Sequence, residues 1–145
     1  MSDDHATLSF TFKTKPLSVN HAFIFRGRFK IPTKEHKSYK EFIGFEIFKN
    51  KESVRFFKNN TNPVAPINVK IDFFLSRHLT KKKEISLKGN DLDNLNKLTI
   101  DAIFESIDIN DAYICDLHVT KNHSETDYFT VSISRPFLIS QSLSK

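Results

Sequence analysis

The chain has no tryptophan, a single cysteine and only three glycines in 145 residues. One cysteine, Cys115, excludes an internal disulfide, and no paired Cys/His spacing suggests structural zinc. Three glycines are too few for a glycine-rich phosphate loop of the P-loop kind. No apolar run approaches the ~18 residues needed to cross a bilayer. The acidic start, Met1 to Phe10, lacks the basic stretch and apolar core of a signal peptide. The expectation is a protein of the reducing cytoplasm with no membrane partner. No Ser/His/Asp arrangement stands out, and His21, His36, His78, His118 and His123 show no i,i+4 pair of the kind that holds a metal on a helix. There is no internal repeat and no low-complexity segment.

What the chain has in excess is phenylalanine, 15 residues, and positive charge, +5 net with an isoelectric point near 9.3. The first suits strands packed under helices. The second favours an anionic partner, of which nucleic acid is the commonest. The length fits one domain over residues 1–145, with 136–145 reading as a tail.

Hydrophobic periodicity divides the chain into recognisable elements. Leu8, Phe10 and Phe12 alternate with Thr7, Ser9 and Thr11, which predicts a half-buried strand. The stretch Phe23 to Ile31 is basic and aromatic and predicts an irregular strand or a hairpin turning near Gly27. Thr33 is placed to cap a helix from about Lys34 to Lys51, with Tyr39, Phe42, Ile43 and Ile47 on its apolar face. Ile67, Val69, Ile71 and Phe73 form a second alternating strand, residues 77–90 a basic loop, and Asp93 to Glu105 a second helix. Ala112 to Thr120 and Asp127 to Ser134 alternate as two more strands, and the polar turn between them predicts a hairpin. On this reading Cys115 is a small core residue. The class implied is α+β, with two main helices covering one face of a mixed β-sheet.

The chemistry concentrates between Gly89 and Lys121. Asp91 and Asp93 flank Leu92, and in an extended segment both carboxylates point the same way. Along the following helix Asn94, Lys97, Asp101 and Glu105 fall within an arc of roughly 80°. Asp111 opens the next strand after a turn. Three carboxylates with no soft ligand nearby suit Mg²⁺ or Mn²⁺, which keep several waters and accept phosphate oxygens. Spacing alone favours a helix cap and a solvated turn over a metal site, with Lys97 and Asp101 an ordinary i,i+4 pair. An EF-hand calcium loop is disfavoured, because its sixth-position glycine and terminal glutamate are absent. Basic residues cluster in two segments, one holding Arg26, Arg28 and Lys30, the other Lys81, Lys82 and Lys83. Both are candidates for DNA phosphate contacts.

Three of these segments together resemble the RusA family of Holliday-junction resolvases. The shared pattern is Asp91-Leu92-Asp93-Asn94-Leu95-Asn96-Lys97, then Asp101-Ala102, then Asn110-Asp111-Ala112, with Pro16-Leu17-Ser18-Val19-Asn20 resembling that family's Pro-x-Ser-x-Asn motif upstream. The resemblance spans about residues 7 to 134. It implies a RusA-like fold and a homodimeric endonuclease, often encoded by phages or prophages. Such an enzyme would bind four-way DNA junctions and nick two strands symmetrically with Mg²⁺ or Mn²⁺. It also implies that Asp91, Asp93 and Asp111 ligate the metal and that Lys97 is the catalytic lysine. Asn110 stands where the family often has another aspartate. A non-catalytic DNA-binding module and a nuclease for flaps or forks are the alternatives.

Overall fold

Alternation decides which strands form and which face they bury. The computed structural model describes residues 4–76 and 92–138, and there six strands and three helices follow one another. Strand β1 (His5–Phe12) turns Ala6, Leu8, Phe10 and Phe12 inward, as its sequence predicts. Strands β2 (Phe23–Arg26) and β3 (Phe29–Pro32) form the expected hairpin. Its two-residue turn places Gly27 at φ 63°, a left-handed position that glycine occupies without a Cβ clash. Helix α1 (Lys34–Lys49) begins where Thr33 accepts a hydrogen bond from the His36 amide at 3.2 Å, and Tyr39, Ile43 and Ile47 make its buried i,i+4 row.

Helix α2 (Lys51–Asn60) is the first departure, giving three helices where two were expected. Only Val54 and Phe57 of this segment are buried, while Phe56 remains exposed, so its apolar periodicity is short. Asn50 separates α2 from α1, its amide bonded to the Ile47 carbonyl at 2.9 Å.

Strand β4 (Ile67–Leu75) buries Ile67, Val69, Ile71, Phe73 and Leu75, all nearly inaccessible. Helix α3 (Leu92–Ile107) leads to β5 (Ile114–His123), which pairs with β4 in parallel. Parallel neighbours need such a crossover. Strand β6 (Tyr128–Pro136) then pairs antiparallel with both β4 and β1, giving the sheet order β1-β6-β4-β5.

The expected β5–β6 hairpin is therefore corrected: β4 lies between them. The connection crosses the end of β4 and is tied to it, the Ser124 amide donating to the Leu75 carbonyl at 2.9 Å and the Ser76 amide to Asp127 at 2.7 Å. Burial explains the order. The most apolar strand takes the centre, and β5, with Leu117 still 41 % exposed, takes the edge. Cys115 is corrected too, from core to surface. Ile67 pairs with Ile114 and Asn68 with Asp116, so Cys115 is the extra residue of a bulge. The C-terminal boundary also moves: Pro136 closes β6 and Phe137 bridges Thr61, so 136–138 belong to the fold.

Under the sheet, Phe12, Phe73 and Tyr39 surround Phe129 at ring-centroid distances of 5.0, 5.5 and 6.2 Å. Tyr39 bonds through its hydroxyl to that of Thr99 at 2.6 Å, joining α1 to α3, and Thr99 also reaches the Leu95 carbonyl at 3.0 Å. Burial drives the Tyr39 phenol well above the ordinary value of 10, outweighing the hydrogen bonds that pull it down. A raised phenol stays protonated in the fold after the unfolded chain has begun to ionise. Its contribution to stability is thus complete below pH 10 and lost as pH rises beyond it. Equilibrium urea unfolding should show stability falling by up to ~1.4 kcal/mol per pH unit above pH 10 from this group. The Tyr39→Phe variant should lose that component, and an unchanged slope would refute the assignment.

Candidate active site and nucleic-acid face

Helix α3 carries the polar stripe. Leu95, Leu98, Ala102 and Ile103 seat it in the core, which leaves Asp93, Lys97, Asp101 and Glu105 exposed. The helix is described from Leu92, and Asp93 lies in its first turn, where the helix dipole favours a carboxylate. Lys97 Nζ stands 3.8 Å from Asp101 Oδ2 in an exposed i,i+4 pair, a contact weak enough for the lysine to leave. Glu105 is engaged by Lys40 of α1 at 2.9 Å.

The C-terminus of α3 sets the position of Asp111. Asp108 takes φ 57°, and the Ile109 amide reaches back to the Phe104 carbonyl at 3.2 Å while that of Asp108 reaches Glu105 at 3.3 Å. This is a Schellman ending, with an aspartate in the left-handed position that glycine commonly fills. The Asn110 side chain then accepts from the Ala112 amide at 2.9 Å and opens a 3₁₀ turn, Asp111–Tyr113, ahead of β5. Asp111 therefore precedes the strand it was expected to open. Capping accounts for an asparagine at position 110.

Asp111 shares a shallow depression with Asp101, Glu105 and Asp108. Asp93 lies eight residues before Asp101, about 12 Å along the helix axis. Among the described residues no three acidic, histidine or cysteine side chains gather closely enough to hold a metal ion. The carboxylate donors have the right chemistry for a hard cation, but within one chain Asp93 and Asp111 stand apart. Asp91 lies outside the described residues, as do Lys81, Lys82 and Lys83.

Arg26, Arg28 and Lys30 are exposed on the β2–β3 hairpin. The hairpin faces α3 across a cleft of about 650 Å³, which Lys30 and Phe25 line on one side and Lys97 and Asp101 on the other. In the sequence the hairpin and the helix face are separate clusters, and Arg135 belongs to no motif. It is buried, donating to the Ala65 and Pro63 carbonyls at 3.3 and 3.1 Å, and its alternation within β6 was the only signal.

The α+β scaffold thus presents an acid–lysine helix face next to an arginine-bearing hairpin. The chain belongs to the RusA endodeoxyribonuclease family: residues 14–134 match the family model described as Endodeoxyribonuclease RusA, a span that takes in the hairpin, α3 and Asp111. No curated protein matches the chain. Among the described residues, no helix is long and apolar enough to cross a membrane.

Proposed function

We propose that this protein resolves four-way DNA junctions by paired, symmetric nicks in a reaction that requires Mg²⁺, with Mn²⁺ as a substitute. The family match across the acidic stretch carries the reading. Asp91, Asp93 and Asp111 are the proposed ligands. When bound, the cation polarises the scissile phosphate and makes a bound water more acidic. Lys97, one turn beyond Asp93, neutralises charge gathering on the phosphate oxygens. Arg26, Arg28 and Lys30 hold the DNA backbone, with Lys81, Lys82 and Lys83 assigned the same role.

The homodimer follows from substrate and chain together. A two-fold axis sets two identical sites on a pseudo-symmetric junction. It also offers a way across the gap between Asp93 and Asp111, since a second copy can bring its own Asp111 to the first copy's Asp93. The test is cleavage of a synthetic four-way junction with and without Mg²⁺. Paired nicks in the junction, none in the matching duplex and none without the cation are expected. A wild-type protein that binds junctions and never cuts them with Mg²⁺ or Mn²⁺ would sink the enzyme reading. Mixing inactive Asp93→Asn and Asp111→Asn chains should then restore part of the cutting, because mixed dimers regain one complete site. No restoration after subunit exchange would place each site within one chain.

A further inference from the structure

The cleft between the hairpin and α3 is not explained by phosphate contacts alone. Phe25 is 73 % exposed, yet it lines this cleft rather than the core. Exposing a phenyl ring so fully forgoes the burial that stabilises the other phenylalanines of the sheet. Gly27 makes the turn that projects the hairpin, and Phe25 pairs across it with Lys30. The Lys30 ammonium lies 4.2 Å from the centroid of the Phe23 ring, so its charge is held over the apolar floor of the cleft. From the opposite wall Lys97 supplies a second ammonium. Asn20, the last residue of the Pro-x-Ser-x-Asn motif, also lines the cleft, and the Ser18 hydroxyl accepts its backbone amide at 3.2 Å. The cleft thus offers one free aromatic face, two cations on opposing walls, and an amide and a carboxylate from Asn20 and Asp101.

We infer that this cleft captures a single nucleotide that has left the base stack at the branch point, its base lying on Phe25 and its phosphate between Lys30 and Lys97. The inference rests on the junction reading of the preceding section and identifies what tells a junction from a duplex. A base inside a duplex has both faces covered by its neighbours, so Phe25 can stack only on a base that is splayed out. The lysines bind any phosphate, but the ring selects the strand exchange point, where bases lack a continuous stack. Asn20 and Asp101 face the base edge with hydrogen-bonding groups, and the exposed Lys97–Asp101 pair opens at little cost when phosphate replaces the carboxylate.

The absence of tryptophan makes the test direct, because Phe25→Trp introduces the sole indole of the protein. With EDTA present, so that no strand is cut, a four-way junction should quench the emission of that variant and a duplex of the same sequence should not. Phe25→Leu, which keeps an apolar side chain without a ring face, should lose roughly ten-fold in junction affinity, the scale of one stacked base. Its duplex affinity should stay within about two-fold, and Phe25→Tyr should restore the junction preference. Equal quenching by junction and duplex, or wild-type junction affinity in Phe25→Leu, overturns the inference. So does a changed oligomeric state of Phe25→Leu by light scattering, which would mean that the ring packs against a second copy. If the wild type cuts junctions while these variants behave identically to it, only the cleft assignment falls. If the wild type neither prefers nor cuts junctions, the proposed function falls, and a single-stranded oligothymidylate then decides the cleft: no quenching of the Phe25→Trp variant overturns it.

Discussion

Replacing Asp93 with asparagine should reduce junction cutting by about 10³-fold or more, the scale on which a principal transition-state stabiliser acts, and leave junction binding within a few-fold of wild type. The substitution preserves shape and removes one negative charge. Asp93 is exposed on the first turn of α3 and makes no packing contribution, so the fold should not respond. A hard cation loses a charged oxygen ligand, whereas DNA approaching the basic hairpin meets one less repelling carboxylate. Single-turnover cleavage and native-gel binding on the same junction separate the two effects. Cutting within ten-fold of wild type would leave Asp93 with nothing more than the favourable interaction of a carboxylate with a helix N-terminus.

The largest effect on stability should come from Phe129→Ala. Phe129 is fully buried on β6, opposite Phe12 of β1 on one side and Phe73 of β4 on the other, with its ring stacked on Phe12. Truncation removes contacts to two strands and to Tyr39 of α1 at once, and the surrounding rings are too large to collapse into the space. The expected loss is about 3–5 kcal/mol by urea denaturation, a large share of the ~5–15 kcal/mol that holds a typical domain folded. A loss below about 1 kcal/mol would show that the aromatic cluster is not where the sheet and helices are joined.

Local patterns in the sequence were sufficient wherever one element decides its own structure. The alternation of Leu8, Phe10 and Phe12, the Thr33 cap, the turn at Gly27 and the Tyr39/Ile43/Ile47 row all appear in the fold as their chemistry predicts. Failures arose where a choice depended on a partner elsewhere in the chain. Asn122 to Thr126 has the composition of a hairpin turn, but the connection is bonded to the end of β4, because β4 outcompetes β5 for the centre of the sheet. Cys115 shares the apolar alternation of Leu117 and Val119, but β5 is an edge strand that buries none of its residues and a one-residue bulge sets Cys115 outside the ladder, which no local signal marks. Helix α2 lacks a long apolar stripe because it covers only part of β1. At the candidate site, spacing placed Lys97 and Asp101 on one helix face correctly. It could not show that the hairpin, some 70 residues earlier, supplies the facing wall.

The pairing of β1 with β6 has a consequence for how the chain acquires its fold. His5 lies opposite Pro136, and the Phe137 amide reaches the Asp4 carbonyl at 2.7 Å, so two strands more than a hundred residues apart close one side of the sheet. Chains emerge at ~5–20 residues per second, and contacts this distant in sequence are slow to form. Until β6 docks, β1 has α1 and α2 to pack against but lacks the strand that satisfies its backbone hydrogen-bonding groups. Any state in which β6 is undocked therefore presents an unpaired strand edge, the kind of surface that pairs with other extended chains.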